Sequence, residues 1–221
     1  MNLAKPLQQR SMPLQNRVNP FGELLATPAR GLFFGNRGGR FHTDTKMLTA
    51  RRWASRQWIC CVLDFKNRHR DVWGRYYTEL FFLDEPTALA AGHRPCFECR
   101  RQDAEAFAEA WRKAKRLRAR PYADEMDCVL HEERLNGRAK RLHRSNIEAL
   151  PDGTFIALDG DAFAVHDAEM LHWAPTGYDW RRSRPQGTTV DVLTPPAIVA
   201  VLSAGYKPRW HPSADDWGQN S

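Results

Sequence analysis

The pattern of apolar and polar positions predicts strands in the first half of the chain. Residues 57–65 (QWICCVLDF) and 76–83 (YYTELFFL) are rich in strand-forming residues. Residues 31–42 contain two apolar stretches around a Gly-Asn-Arg-Gly-Gly sequence, and Gly and Asn tolerate the positive φ of tight turns. This last segment therefore predicts a β-hairpin.

Helical patterns follow these strands. A short helix is predicted to begin at Asp84, whose side chain can cap it, and to end at Gly92 in a left-handed conformation. A longer amphipathic helix is expected over residues 102–118. A third helix is expected over residues 123–135, before an Asn-Gly sequence that stops it.

Beyond residue 150 the pattern changes to short β-like runs separated by turns. Strands are predicted over residues 154–158, 162–166, 170–173 and 188–193. A polar loop is expected over residues 181–187, and a short helix after the Pro195-Pro196 pair.

These elements predict an α+β protein with two halves. Residues 1–30 hold four prolines and little periodicity, which indicates a flexible or wrapping arm. Residues 31–145 combine a short sheet with helices, residues 146–212 are β-rich, and residues 213–221 form a polar tail.

Composition makes the surface basic. The chain has 33 Lys and Arg against 26 Asp and Glu, a net charge of +7, so it attracts polyanions, of which nucleic acid is the commonest. No run of about 18 apolar residues is present, so no membrane partner is expected. The N-terminus lacks the apolar centre of a secretory signal, which favours a cytoplasmic protein. The five cysteines are then ligands, nucleophiles or core residues rather than disulfides.

The sequence Cys96-Phe97-Glu98-Cys99 is the sharpest chemical signal. Two cysteines three residues apart, at a turn that enters a helix, can direct both sulfur atoms to one tetrahedral ion. The motif therefore predicts zinc. Redox or nucleophilic chemistry, and plain structural thiols, are the alternatives.

This region resembles the zinc-binding domain of the Ada DNA-alkylation repair protein. The shared residues include an Ala-Ala-Gly sequence followed by Arg94, Pro95, Cys96 and Cys99, and a broader Ada-like group also has Gly-Asn and Phe-His pairs like those at residues 35–42. The resemblance covers roughly residues 35–101. It implies a zinc-binding domain within residues 31–145, with Cys96 and Cys99 as the second pair of ligands.

The first pair of ligands departs from the Ada pattern. The only upstream cysteines are Cys60 and Cys61, which are adjacent, and successive strand residues point to opposite faces. Cys61, on the same face as Ile59, is the preferred third ligand, and Cys60 is the alternative. A missing fourth thiol argues against the methyl-acceptor chemistry of Ada.

The sequence alone does not decide which residue is the fourth ligand. His42 lies beside the Gly-Asn turn where the broader group has a ligand region, and it is the preferred candidate. Cys128 and His131, three residues apart on the third predicted helix, are the other candidates because their spacing is also acceptable for zinc.

The basic residues near the motif predict a nucleic-acid-binding surface. Zinc would fix the turn so that its cations face phosphates, and further cations would come from the segment that follows the strand at residues 57–65. The candidate DNA- or RNA-binding residues are Arg94, Arg100, Arg101, Lys66, Arg68 and Arg70.

Three functional hypotheses follow. The first is a zinc-containing protein that binds nucleic acid, with DNA repair or processing as its setting. The second is a metal-dependent enzyme acting on DNA or RNA, using the zinc thiolates or the segment that contains His131, Glu133, Lys140 and His143. The third is a protein in which zinc only stabilises the fold, without nucleic acid.

Overall fold

The computed structural model describes residues 12–68 and 71–217 and has a mixed α+β architecture, with strands prevailing in the C-terminal half. Residues 1–11, 69–70 and 218–221 lie outside the described residues. The four helices are α1 (Glu85–Ala90), α2 (Arg101–Ala114), α3 (Ala123–Arg134) and α4 (Pro196–Ser203). None of these helices is long and apolar enough to cross a membrane.

The N-terminal half contains a mixed six-stranded sheet in the order β2-β1-β5-β3-β4-β6. Its strands are β1 (Gln15–Val18), β2 (Leu24–Ala26), β3 (Phe33–Arg37), β4 (Trp58–Val62), β5 (Leu80–Phe82) and β6 (Arg94–Pro95). The pairs β1–β5 and β4–β6 are parallel and the other pairs are antiparallel. Gly35 lets β3 approach β4 closely, because a Cβ there would lie 2.0 Å from the Ile59 carbonyl oxygen.

The C-terminal half contains an antiparallel six-stranded sheet in the order β13-β12-β11-β10-β14-β9. A two-stranded hairpin, β7–β8, precedes it. The bounds are β7 (Leu135–Asn136), β8 (Ala139–Lys140), β9 (His143–Asn146), β10 (Phe155–Leu158), β11 (Asp161–His166), β12 (Glu169–Ala174), β13 (Gly177–Ser183) and β14 (Thr189–Val192).

Three predicted segments differ from the structure. The predicted hairpin over residues 31–42 is wrong, because Phe33–Arg37 pairs with β4 and β5 rather than with the residues that follow it. The described part of the predicted arm contains β1 and β2, an antiparallel hairpin at the edge of the sheet. The predicted loop over residues 181–187 is occupied in part by β13, which continues to Ser183.

The predicted start and end of the short helix before the cysteine motif are confirmed, whereas the helix after the motif ends at Ala114, short of the predicted residue 118. Asp84 caps α1, its Oδ1 accepting a hydrogen bond of 2.9 Å from the Thr87 amide, and Gly92 follows the helix with φ +85°. One apolar core combines residues of α2, α3 and α4 with Leu89 and Tyr206. Because α4 belongs to the C-terminal half, the two halves share this core.

Candidate metal centre

Three cysteines converge at one end of β4. Their sulfur atoms, from Cys61, Cys96 and Cys99, all lie within 4.8 Å of one another. Strand β4 supplies Cys61, and β6 pairs in parallel with β4, so Cys96 follows β6 directly beside it. The Cys96 amide donates a hydrogen bond of 3.0 Å to the Cys60 carbonyl oxygen, which joins the motif to β4. This cluster could hold a metal ion.

The turn between Cys96 and Cys99 has the form of a hydrogen-bonded knuckle. The Glu98 amide lies 3.4 Å from the Cys96 sulfur, and the Arg100 amide donates to the Cys96 carbonyl oxygen at 3.0 Å. Cys96 is buried, whereas Cys99 is partly exposed, so the cluster is reached from one side. The apolar side chains around it are Phe34, Ile59 and Phe81.

The thiols interact with each other directly. Hydrogen bonds from Cys61 and Cys99 lower the pKa of Cys96 to about 2, and the same contact with Cys96 raises the pKa of Cys61. The three sulfur atoms are thus close enough to act together as ligands of one ion, the arrangement that thiolate coordination needs.

The remaining cysteines lie elsewhere. Cys60 faces the opposite side of β4, is fully buried, and accepts a 3.5 Å contact from Arg100 Nη1. Burial raises the pKa of the Cys60 thiol. Cys128 is exposed on α3, and its sulfur contacts Arg56 Nη1 at 3.4 Å. The alternation of side chains along β4 therefore separates Cys60 from Cys61, as predicted.

The structure does not bring His42 to the cysteine cluster. Its ring stacks on Trp73, with centroids 5.0 Å apart. Nδ1 lies 2.7 Å from Thr78 Oγ1, and Nε2 lies 3.1 Å from the Gly74 carbonyl oxygen. Because both ring nitrogens have partners, this histidine joins the loop between β3 and β4 to the segment before β5 instead of completing the cluster.

The alternative pair, Cys128 and His131, is also absent from the cluster. His131 Nδ1 lies 2.9 Å from Arg134 Nη2, and its ring packs edge-on against Trp53. Within residues 12–68 and 71–217, no fourth Cys, His, Asp or Glu joins the three thiols.

Two of the predicted phosphate-binding arginines are buried. Arg94 is 3% exposed and forms two hydrogen bonds to the carboxylate of Asp127, at 2.9 and 2.7 Å. Arg100 is 5% exposed and binds Glu85 and Asp103, both at 2.8 Å. This corrects the expectation that their charges face solvent, because each is neutralised inside the protein.

The other predicted phosphate-binding residues lie at the surface or outside the described residues. Arg101 is exposed and pairs with Glu105 one helical turn away, and Lys66 is exposed in a turn. Arg68 forms an ion pair of 2.7 Å with Glu98, inside the cysteine motif. Arg70 lies outside the described residues.

The acid and base residues predicted for an enzyme do not form one site. The Glu133 carboxylate accepts a hydrogen bond of 2.7 Å from the Ala197 amide at the start of α4, which is a capping role. His143 lies on β9, and the Lys140 ammonium donates to the Ala90 carbonyl oxygen.

The sequence patterns do not identify Asp127 and Glu85 as the partners that neutralise the buried arginines. Their signal was an acidic position on the buried side of a predicted helix.

Comparisons with known proteins give no relative for this chain. No protein-family model matches the sequence, no curated protein matches it, and no solved structure matches the fold. The function of the chain therefore has to follow from its own donor set and charge distribution.

Proposed function

We propose that this chain is a zinc-binding protein, with the ion bound by Cys61, Cys96 and Cys99. The observation that carries the proposal is the convergence of three sulfur atoms within 4.8 Å from two segments that are distant in sequence. A tetrahedral zinc ion with Zn–S bonds of about 2.3 Å separates its sulfur ligands by about 3.8 Å, so only a small contraction is needed. Soft thiolates favour zinc over hard cations such as magnesium or calcium.

The described residues supply three ligands, which leaves the fourth position to water, to an external ligand or to a side chain outside the described residues. Three protein ligands with one exchangeable position is the pattern of zinc ions that act on a substrate, whereas closed four-ligand sites are structural. X-ray absorption at the zinc edge measures the ligand set. Three sulfur atoms and one oxygen support an open site, and four protein ligands support a purely structural ion.

Metal analysis of the purified chain tests the proposal directly. We expect one zinc ion per chain, and loss of the ion in Cys61→Ser and Cys99→Ser. Cys128→Ser is the matched control, because it removes an exposed thiol outside the cluster and should keep full zinc. Cobalt(II) substitution gives a second readout, since thiolate-to-cobalt absorption should diminish in the first two variants only. Equal zinc content in all variants would refute the ligand assignment.

A second function, nucleic-acid binding, is favoured by a specific surface. The end of α2 and the segment after it carry five exposed cations, Lys113, Lys115, Arg116, Arg118 and Arg120, none of which forms an ion pair within the described residues. Tyr122, which is 78% exposed, lies beside them. Clustered cations with an exposed aromatic ring favour contacts to phosphates and bases. DNA repair or processing remains the proposed setting.

Fluorescence anisotropy with labelled DNA and RNA tests this function. Binding should weaken steeply with salt, and the triple variant Lys115→Ala, Arg116→Ala, Arg118→Ala should lower the slope of log affinity against log salt by about 2–3. A control triple variant, Arg30→Ala, Lys46→Ala, Arg75→Ala, removes the same charge from other exposed positions. Equal effects of both variants, or no binding at low salt, would contradict the assignment of nucleic-acid binding to this surface.

A further inference from the structure

A cavity of about 550 Å³ lies between two hairpins, away from the cysteine cluster. One wall is the β1–β2 hairpin and the other is the β7–β8 hairpin, while Trp58 of β4 and Ala91 lie between them. Small-molecule sites in proteins occupy about 300–1,000 Å³. The cavity is therefore large enough for a ligand bigger than a single inorganic anion.

The charge of this cavity is strongly positive. Five cations line it, namely Arg37, Arg52, Arg134, Arg138 and Lys140. None of them forms an ion pair with a carboxylate in the described part of the chain. The one carboxylate of the lining, Glu23, accepts a hydrogen bond from the Asn19 side-chain amide instead. Clefts with one sign of charge concentrate ligands of the opposite sign.

Two of these cations are buried and form no ion pair in the described part of the chain, although the Asp127 carboxylate, itself paired with Arg94, favours the charged form of Arg134 at longer range. Arg37 is 2% exposed and Arg134 is 0% exposed, and their guanidinium carbons lie 4.0 and 3.9 Å from the ring centroid of Trp58. Their hydrogen bonds go to the backbone carbonyls of residues 22, 52, 56 and 92 and to two histidine rings, and the Nε–H of Arg134 has no partner. Buried charges in proteins are usually paired with opposite charge. An anionic ligand would supply the missing negative charge.

The third inner cation, Lys140, completes the positive wall. Its ammonium reaches the Ala90 carbonyl oxygen, in the same lining as Arg37 and Arg134. Burial, together with the two arginines, lowers the pKa of Lys140 to about 7. These three cations repel one another, so a multiply charged anion between them would relieve the repulsion.

An aromatic side chain accompanies the cations. Trp53 lines the cavity, is partly exposed, and lies 6.1 Å from Trp58 between ring centroids. A partly exposed indole beside a positive groove can stack on a nucleobase. We propose that this cavity is a nucleotide site, in which the exposed Arg52 and Arg138 and the half-buried Lys140 contact the phosphates, the buried charges of Arg37 and Arg134 attract them, and Trp53 stacks on the base.

The proposed ligand chemistry has two sources, a free nucleotide or the terminal nucleotide of a strand. Isothermal titration of the full-length, zinc-loaded protein at low salt separates them, with four probes: ADP, pyrophosphate, and one single-stranded oligonucleotide with either a 5′-phosphate or a 5′-hydroxyl group. We expect saturable binding of ADP at one site with a Kd below about 1 mM. Binding of the 5′-phosphorylated strand at least about tenfold tighter than the 5′-hydroxyl strand would identify a strand end as the source. Binding of ADP without that difference would identify a free nucleotide.

Substitutions in the lining test the residue roles. Lys140→Met should weaken ADP binding by about tenfold or more, and the exposed Arg138→Ala, which cannot disturb the core, by about threefold. Trp53→Leu should reduce the preference for ADP over pyrophosphate by about fivefold or more and leave pyrophosphate affinity unchanged. Arg144→Ala is the matched control, because it removes an exposed cation that does not line the cavity, and it should stay within about twofold of the parent.

The results that overturn the proposal are equally defined. Absence of saturable binding for all four probes overturns it, as does an equal effect of Arg138→Ala and Arg144→Ala, which would indicate unspecific attraction to a basic surface. Zinc content, measured in the same samples, reports on the cysteine cluster separately. A protein that keeps its zinc but binds no nucleotide would refute the proposed nucleotide site and leave the proposed metal site unaffected.

Discussion

The ion pair between Glu85 and Arg100 should be one of the most sensitive points of the fold. Both side chains are almost inaccessible, at 1% and 2%, and Arg100 Nη2 lies 2.8 Å from Glu85 Oε2. The carboxylate also accepts hydrogen bonds from the Tyr206 hydroxyl at 2.6 Å and the Arg209 amide at 2.9 Å. Glu85→Ala removes the contacts of the carboxylate with all three of these groups at once. Arg100 then keeps its ion pair with Asp103, whose side chain is 52% exposed.

The expected cost follows from the uncompensated charge. Removing one partner of a buried ion pair destabilises proteins by about 3–5 kcal/mol. For a chain of this size such a loss lowers the melting temperature by about 6–20 °C. Because Arg100 directly follows Cys99, the knuckle should also lose order, and zinc affinity should fall with stability.

A neighbouring pair provides the matched control. Arg101 and Glu105 form an ion pair of 3.0 Å on the surface of α2, with side chains 76% and 43% exposed. Glu105→Ala should cost only about 0.3–0.5 kcal/mol, since exposed pairs of this kind contribute little. The two variants remove the same type of side chain from adjacent arginines, so the difference between them isolates burial.

Urea unfolding at a fixed excess of free zinc, followed by circular dichroism, measures both free energies of unfolding. The reasoning is refuted if Glu85→Ala lies within about 1 kcal/mol of Glu105→Ala. A double variant, Glu85→Leu with Arg100→Met, refines the test. It should recover part of the loss because no buried charge is left unpaired.

Four further predictions concern the two sites and a second buried ion pair. Affinity for ADP should fall as pH rises from 7 to 8, by up to about tenfold, because Lys140 loses its proton there while Arg37 and Arg134, whose pKa values burial lowers to about 9, stay mostly charged. Titration calorimetry from pH 6 to 8 would contradict this if affinity stayed flat. Without a ligand, the unfolded chain binds more protons than the folded one between pH 7 and 10.5, so Lys140 should make urea stability rise with pH across that window, and Lys140→Met should remove this rise. Asp127→Ala should cost about 3–5 kcal/mol in the same assay by leaving Arg94 unpaired inside, and a loss below about 1 kcal/mol would contradict the buried pair. Gly35→Ala should weaken zinc binding, because the added methyl group would collide with the Ile59 carbonyl oxygen and displace β4, which carries Cys61. Competition with a chromogenic chelator measures the zinc affinity. An unchanged affinity would show that the position of β4 does not affect the metal site.

The parts of the site predicted from sequence are those that depend on local geometry. The spacing of Cys96 and Cys99 fixes two sulfur atoms on one turn, and strand alternation distinguishes Cys61 from Cys60. The cap at Asp84 is likewise a local property of a helix start. Periodicity and turn chemistry act over a few residues, so the pattern alone is sufficient for them.

The parts that could not be predicted depend on partners distant in sequence. Arg94 resembles a surface cation until Asp127 is found beside it, 33 residues away. The pairing of β3 with β4 and β5 overrides the local turn signal after Asn36, because residues 58–62 and 80–82 offer longer apolar partners. The cation-lined cavity is assembled from five separate segments, so no window of the sequence displays it.

The two faces of strand β4 contribute to two different sites, the cation-lined cavity and the cysteine cluster. Trp58 contributes to the cation-lined cavity, and Cys61, three residues later, points to the opposite face with the other two thiols. Inserting or deleting a single residue between them would invert the facing of one side chain relative to the other. Length changes in this strand should therefore abolish one centre or the other, whereas the exposed turn over residues 43–47 should accommodate them. Any engineered variant of this protein should therefore keep the length of β4 at five residues.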